Sequence, residues 1–388
     1  MRLAIAIAIA VVVTLGGPFA LQNAGAAETV PRIPFVAGLS TVHAIIETRG
    51  DYEAIATVLS VDDHGYRLEF SAEVPAASGH GTKMLRILRA VPTEDRRHAR
   101  AMRAWFQEGD PEVFDGTTPE LSADVLHELR DTGAAAVKVI VPRESPAAAA
   151  GNSRPGPARL PGLPKEPDLS PLQNLLAANP TGMRRLSGTL RRVEPGSVPV
   201  SVLVNGRPVA LPTIHVIGRL SDAEGGSDFE MHILDDEDNL LILRSRRAGL
   251  ASATLRIDFP LPLASPDTLE NRLKRNEVAE VYGIFFAFGS DQIRPESERA
   301  LQEIAVAMKQ HKDWTLQVDG HTDSVGGSDA NLGLSKRRAD AVRAALVARH
   351  GIAAERLRTD GRGASQPKAT NATPEGRARN RRVALRRA

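Results

Sequence analysis

Two side chains of opposite charge stand out by where they fall. Arg338 lies on the apolar face of a predicted helix, four residues from both Leu334 and Val342, with Ala341, Ala345 and Leu346 completing that face. A guanidinium there is costly unless it is ion-paired or presented to a ligand at the edge of a domain. Arg337 beside it points elsewhere and reads as an ordinary solvated cation. Asp323 ends a predicted strand in the short Asp323-Ser324-Val325-Gly326-Gly327 loop feeding the same helix, which brings it within reach of Arg338. The two can form a structural ion pair or a site for a charged ligand. Other chemistries are weaker fits. His321 and Asp323 have metal-ligand spacing but no evident third ligand. Ser335, His321 and Asp323 have the composition of a hydrolytic triad, but no nucleophile elbow surrounds Ser335.

The elements that must hold these residues form the most regular stretch of the chain. Val281 to Phe288 reads as an apolar strand, and Arg294-Pro295-Glu296 opens a helix with proline at a tolerated first-turn position. Leu301, Ile304, Ala305 and Met308 give that helix one apolar stripe. Trp314 to Val318 is the next strand and runs into Gly320-His321-Thr322-Asp323, followed by a helix from about Asn331 to Arg349. Leu357 to Gly363 and Arg382 to Leu385 complete a four-strand alternation that predicts a two-layer α/β sandwich.

Gly320-His321-Thr322-Asp323, then Gly326, Asn331, Leu334-Ser335, Arg338-Ala339 and Val342 stand at fixed spacings. They are followed by Asn371-x-Thr373-x-x-Gly376-Arg377-Ala378-x-Asn380-Arg381-Arg382-Val383. Over residues 280–385 this pattern resembles the OmpA-like C-terminal, peptidoglycan-binding domain family. The resemblance implies a mixed sheet with helices on one face and a ligand, the diaminopimelate of the peptidoglycan stem, whose free end carries an ammonium and a carboxylate. Asp323 would then take the ammonium and Arg338 the carboxylate, the planar fork making paired charge-assisted hydrogen bonds. Asn331 and Thr322 would support them, and Arg381 and Arg382 would help hold the ligand or brace the Asp323 loop. The chain departs from the pattern at Phe286-Ala287-Phe288-Gly289, where many members carry an acid, and at Ala330, often aromatic.

The rest of the chain reads as an export segment, two modules and linkers. Met1-Arg2, the apolar run from Leu3 to Val13, the Gly16-Gly17-Pro18 break and Ala24-Gly25-Ala26-Ala27 have the layout of a cleavable signal over residues 1–27. Residues 28–144 read as a small α/β domain: strands over Tyr52–Val61, Tyr66–Val74, Lys83–Val91 and Ala136–Val141, and helices near Arg96–Gln107 and Ser122–Arg130. Residues 145–183 are a Pro/Ala/Gly-rich linker, 184–260 a small β-rich module and 275–388 the wall-binding domain. Aromatics are only 4% of the chain, which argues against a transmembrane β-barrel with aromatic girdles. There is no cysteine, so no disulfide, thiolate metal site or lipidation cysteine. A formal charge of +2 excludes a polycation built for nucleic acid.

The expectation is a multidomain, periplasmic envelope protein that binds peptidoglycan non-covalently, without cofactor, metal or catalysis. Outer-membrane proteins or anionic envelope lipids are further expected partners, the latter through the basic C-terminal run. Two alternatives stay open: an uncleaved inner-membrane anchor as in stator-type proteins, and an activity carried by the N-terminal modules.

Overall fold

A computed structural model of the protein describes residues 32–47, 52–75, 82–103, 111–113, 116–142, 183–261, 265 and 268–388. The signal expected over residues 1–27 and nearly all of the linker expected over 145–183 lie outside them.

Alternating apolar residues in the first part of the chain form an antiparallel meander of β1 (Ser40–Glu47), β2 (Tyr52–Asp62), β3 (Gly65–Pro75) and β4 (Thr82–Pro92). The β2–β3 hairpin turns at the predicted place, because Asp62 Oδ1 accepts from the backbone N–H groups of His64 and Gly65 at 2.9 and 3.1 Å. Then come α1 (Thr93–His98), the short β5 (Ala101–Met102) and β6 (Thr117–Thr118), α2 (Ala123–Asp131) and β7 (Ala134–Pro142). The helix expected near Arg96–Gln107 stops at His98, where Ala99 turns to extended backbone with ψ 130°. The expected Ser122 cap is present, its hydroxyl accepting from Val125 N–H at 3.4 Å.

The second part supplies β8 (Met183–Arg192), β9 (Val198–Val204), β10 (Arg207–Asp222), β11 (Gly225–Leu234), β12 (Ile242–Arg247) and β13 (Leu250–Asp258). These strands do not stand apart from the first part, as the reading of 28–144 and 184–260 as separate modules expected. β7 pairs with β8 from Ala134 opposite Arg191 to Pro142 opposite Met183, and β1 pairs with β13. The physical cause is shared edges and a shared core. Pairing satisfies strand edges that separate modules would leave open, and Leu126 and Leu129 of α2 bury in one cluster with Val139, Leu190, Ile214 and Ile233. Within this sheet β9 pairs with both β10 and β13, so β9 to β13 close into a five-strand ring.

The C-terminal part begins with α3 (Leu269–Lys274) and β14 (Ala279–Val281). A turn of 3₁₀ helix at Pro295–Ser297 leads into α4 (Glu298–Gln310), followed by β15 (Leu316–Gly320), α5 (Ser328–His350), β16 (Leu357–Gly361), α6 (Pro374–Asn380) and β17 (Val383–Arg387). The sheet order is β14-β17-β15-β16, mixed because β15 and β16 run parallel. Leu301, Ile304 and Met308 of α4 and Val342 and Leu346 of α5 meet Leu316, Val318 and Leu385 in one core. The two-layer sandwich is therefore as expected. The strand expected over Val281–Phe288 is not: β14 ends at Val281. The backbone of Phe285 is taken instead by Ser297, whose Oγ accepts from Phe285 N–H at 2.9 Å and donates to its carbonyl at 3.1 Å. A side chain thus takes one ladder partner's place, beside a single backbone bond from Arg294 N–H to the Phe285 carbonyl at 2.9 Å.

Candidate functional site

The site forms where the ends of β15 and β16 meet α5. A Cβ on Gly320 would come within 2.1 Å of Ser335 O, and one on Gly361 within 2.7 Å of Ser335 Oγ. Only glycine lets the helix lie this close to both strand ends. Ser335 is buried and structural: its hydroxyl donates to Leu332 O at 2.8 Å and accepts from Gly363 N–H at 2.9 Å. Those bonds account for Ser335 and leave the triad reading without a nucleophile.

One turn further along α5, Arg338 reaches over the sheet edge. Its Nε donates to Ser290 O at 2.9 Å, and its guanidinium lies 4.8 Å from the centroid of the Phe286 ring. Among the described residues no carboxylate comes within ion-pairing distance of it. Burial first, then the charge of Arg381, pull its pKa below the ordinary guanidinium value, against Asp323, Asp291 and Glu53 nearby. Arg338 and Asp323 are thus neighbours without being the ion pair that the sequence left open.

Asp323 is buried, and both its oxygens are engaged. Oδ1 accepts from Val325 N–H at 3.0 Å, and Oδ2 pairs with Arg381 Nη1 at 2.5 Å. Arg381 Nη2 in turn contacts Glu53 of β2, 328 residues away in sequence. This bridge raises the Arg381 pKa against the cost of burial, with Glu53 and Asp323 both contributing. Glu53 carries no sequence signal, since only the docking of β2 against the C-terminal part brings it here. Further contacts hold that docking: Arg299 Nη1 donates to Gly38 O at 2.6 Å, and Phe288 N–H donates to Glu73 Oε2 at 2.8 Å. A cavity of about 90 Å³ remains between the two parts, with Glu53, Ile55, Phe286, His321, Arg338 and Arg381 in its walls.

The other expected site residues divide into two groups. Thr322 is buried, its backbone N–H bonded to Gly363 O at 3.0 Å, while its Oγ1 has no hydrogen-bond partner. Asn331 instead braces the loop, its Nδ2 donating to Asp323 O at 3.3 Å and Val325 O at 3.1 Å. Arg382 lines the cavity and also holds the fold: it donates to Asn380 O at 3.3 Å and Gln366 O at 3.1 Å, and Glu280 lies 3.5 Å from its Nε. His321 is buried, and burial with nearby Arg382 lowers its pKa to about 4, so it is neutral at pH 7.

The second half of the motif frames the Asp323 loop. Thr373 caps α6 by accepting from Gly376 N–H at 3.1 Å. Asn380 Nδ2 donates to Ala369 O and to Asn371 Oδ1, each at 2.9 Å. Asn371 Oδ1 also accepts from Ser324 N–H at 3.1 Å, which ties this frame to the residue after Asp323.

Comparison with known proteins agrees over this region. The OmpA family model matches residues 285–381. A probable lipoprotein, YiaD of Escherichia coli K12, is 40% identical over 102 residues, covering 26% of this chain and 46% of its own. The peptidoglycan-binding protein ArfA of Mycobacterium tuberculosis H37Rv is 39% identical over 113 residues, 29% of this chain and 34% of its own. The chain therefore spans less than half the length of either of these curated relatives. Among solved structures, the peptidoglycan-associated lipoprotein of Burkholderia pseudomallei aligns with 30% identity and a TM-score of 0.26, over 27% of this chain and 88% of that one. The motif, the two-layer sandwich and the family match converge on one statement: residues 285–381 of this chain form a domain of the OmpA family.

Proposed function

We propose that the C-terminal domain binds peptidoglycan non-covalently, gripping the diaminopimelate end of the peptide stem, and that the chain is an envelope protein tethered to the wall. The observation that carries this is Arg338, a half-buried guanidinium at a cavity wall with no carboxylate of the described residues paired to it. A ligand carboxylate supplies the missing partner, with the Nε–Ser290 bond and the Phe286 ring fixing the plane of the fork. Asp323 and Glu53 offer negative charge to the ligand ammonium across from it. Arg338 and Arg381 balance Asp323 and Glu53, so a zwitterionic end group enters without burying net charge. Relatives of this domain named for peptidoglycan binding support the ligand class. The role is recognition and anchoring rather than catalysis.

Co-sedimentation with diaminopimelate-type sacculi tests the reading. Wild-type protein should pellet with the sacculi. Arg338→Ala and Asp323→Ala should each weaken binding by about 2 kcal/mol or more, some thirtyfold, as expected for one half of a desolvated charge pair. Unchanged affinity in both variants would place wall contact elsewhere.

A further inference from the structure

On the strands of the β9–β13 ring, two histidines stand directly opposite each other. His215 of β10 and His232 of β11 are cross-strand partners, and their rings stack in parallel with centroids 4.4 Å apart. Glu230, two residues before His232, shares their face, and its Oε1 lies 3.3 Å from His215 Nε2. One donor atom from each of the three lies within 4.8 Å of the others.

The surrounding hydrogen bonds fix which ring nitrogens carry protons. Glu194, in the turn after β8, sets its two oxygens 3.0 and 3.2 Å from His215 Nδ1. A carboxylate only accepts, so Nδ1 is the protonated nitrogen. Thr213 Oγ1 donates to Val198 O at 2.6 Å, which leaves that oxygen to accept from His232 Nδ1 at 3.4 Å. Nε2 of each ring is therefore the nitrogen left to meet a cation. His215 Nε2 is buried, has no hydrogen-bond partner and faces a carboxylate oxygen at 3.3 Å. A cation lying between the two atoms stabilises that meeting. A carboxylate on the far nitrogen is also the contact that orients metal-ligating imidazoles.

We propose that His215, His232 and Glu230 bind one divalent transition-metal ion of the zinc class, with Glu194 and Thr213 orienting the two imidazoles. Two imidazole nitrogens favour such a metal over calcium or magnesium. Ligand bonds of about 2.0–2.1 Å in tetrahedral geometry need donors about 3.3 Å apart. His215 and Glu230 already meet that spacing at 3.3 Å. A modest rotation of His232 out of the parallel stack brings in the third ligand. Arg246 does not block the site, since it holds Glu230 through Oε2, at 3.0 Å from its Nε, and leaves Oε1 to the metal. No sequence motif marks the cluster, because strand register alone brings His215 of β10 against Glu230 and His232 of β11.

The test is calorimetric titration of tag-free, chelator-stripped full-length protein with zinc sulfate. Wild type should take up one equivalent saturably. His215→Ala and His232→Ala should abolish that uptake, and Glu194→Gln should weaken it tenfold or more. Ten histidines are present in the chain, so uptake that survives both alanine variants would be adventitious and would overturn the proposal. So would the absence of saturable uptake, which would make the cluster a proton-bridged network. If the alanine variants do not fold, the melting temperature decides: zinc should raise it in wild type and not in Glu230→Gln, and no rise in wild type overturns the site.

Discussion

Removing Arg381 separates the two contacts that it bridges. Asp323 retains only 12% side-chain exposure and lies 2.5 Å from Arg381, whereas Arg381 and Glu53 are 32% and 35% exposed. Arg381→Ala strands a nearly buried carboxylate. A fully buried pair broken from one side costs about 3–5 kcal/mol, and the exposure of Arg381 discounts this to about 2–3 kcal/mol. Glu53→Gln breaks only the partly solvated contact and should cost about 0.5–1 kcal/mol. Adding Asp323→Asn to Arg381→Ala removes the stranded charge, so the double variant should recover about 1–2 kcal/mol relative to the sum of the single changes. The assay is urea unfolding at pH 7, read from the fluorescence of buried Trp314 in a Trp105→Phe background. A cost for Glu53→Gln equal to that for Arg381→Ala, or strict additivity of Arg381→Ala and Asp323→Asn, would refute this division of the network.

Other outcomes follow from the same geometry. Arg338→Lys keeps the charge but loses the fork, so sacculus affinity in co-sedimentation should fall about tenfold while the urea midpoint stays near wild type. Burial lowers the pKa of His43 to about 4, as it does for His321. Both are neutral in the folded state where the unfolded chain is protonated. Stability is therefore complete above about pH 6.5 and declines as pH falls toward 4, which melting curves across that window would show. Acid melting that begins only below pH 4 would contradict the burial of these rings. A Cβ at Gly376 would meet Thr370 O at 1.8 Å, so Gly376→Ala should destabilise the domain by about 2 kcal/mol or more in the same urea assay and loosen the Asp323 loop.

Local pattern determined a good deal of this protein. Alternation with period two marks β3 and β4, and Ser122 and Thr373 cap helices through contacts three residues away. The spacing of Asp323, Asn331 and Arg338 places all three on one loop and one helix, because these distances lie within a few turns of chain. Tertiary structure decided what local pattern cannot encode. Asp323 pairs with Arg381 rather than Arg338, since its loop closes over the start of β17 and not over the helix. Asn331 turns inward to the fold, its amide taken up by two backbone carbonyls of the Asp323 loop. The first two parts share one sheet because β7 and β8 complete each other's edges across a long intervening segment. Glu53 enters the site, and His215 meets His232, only through strand docking and register, relations between segments distant along the chain that no single window of sequence contains.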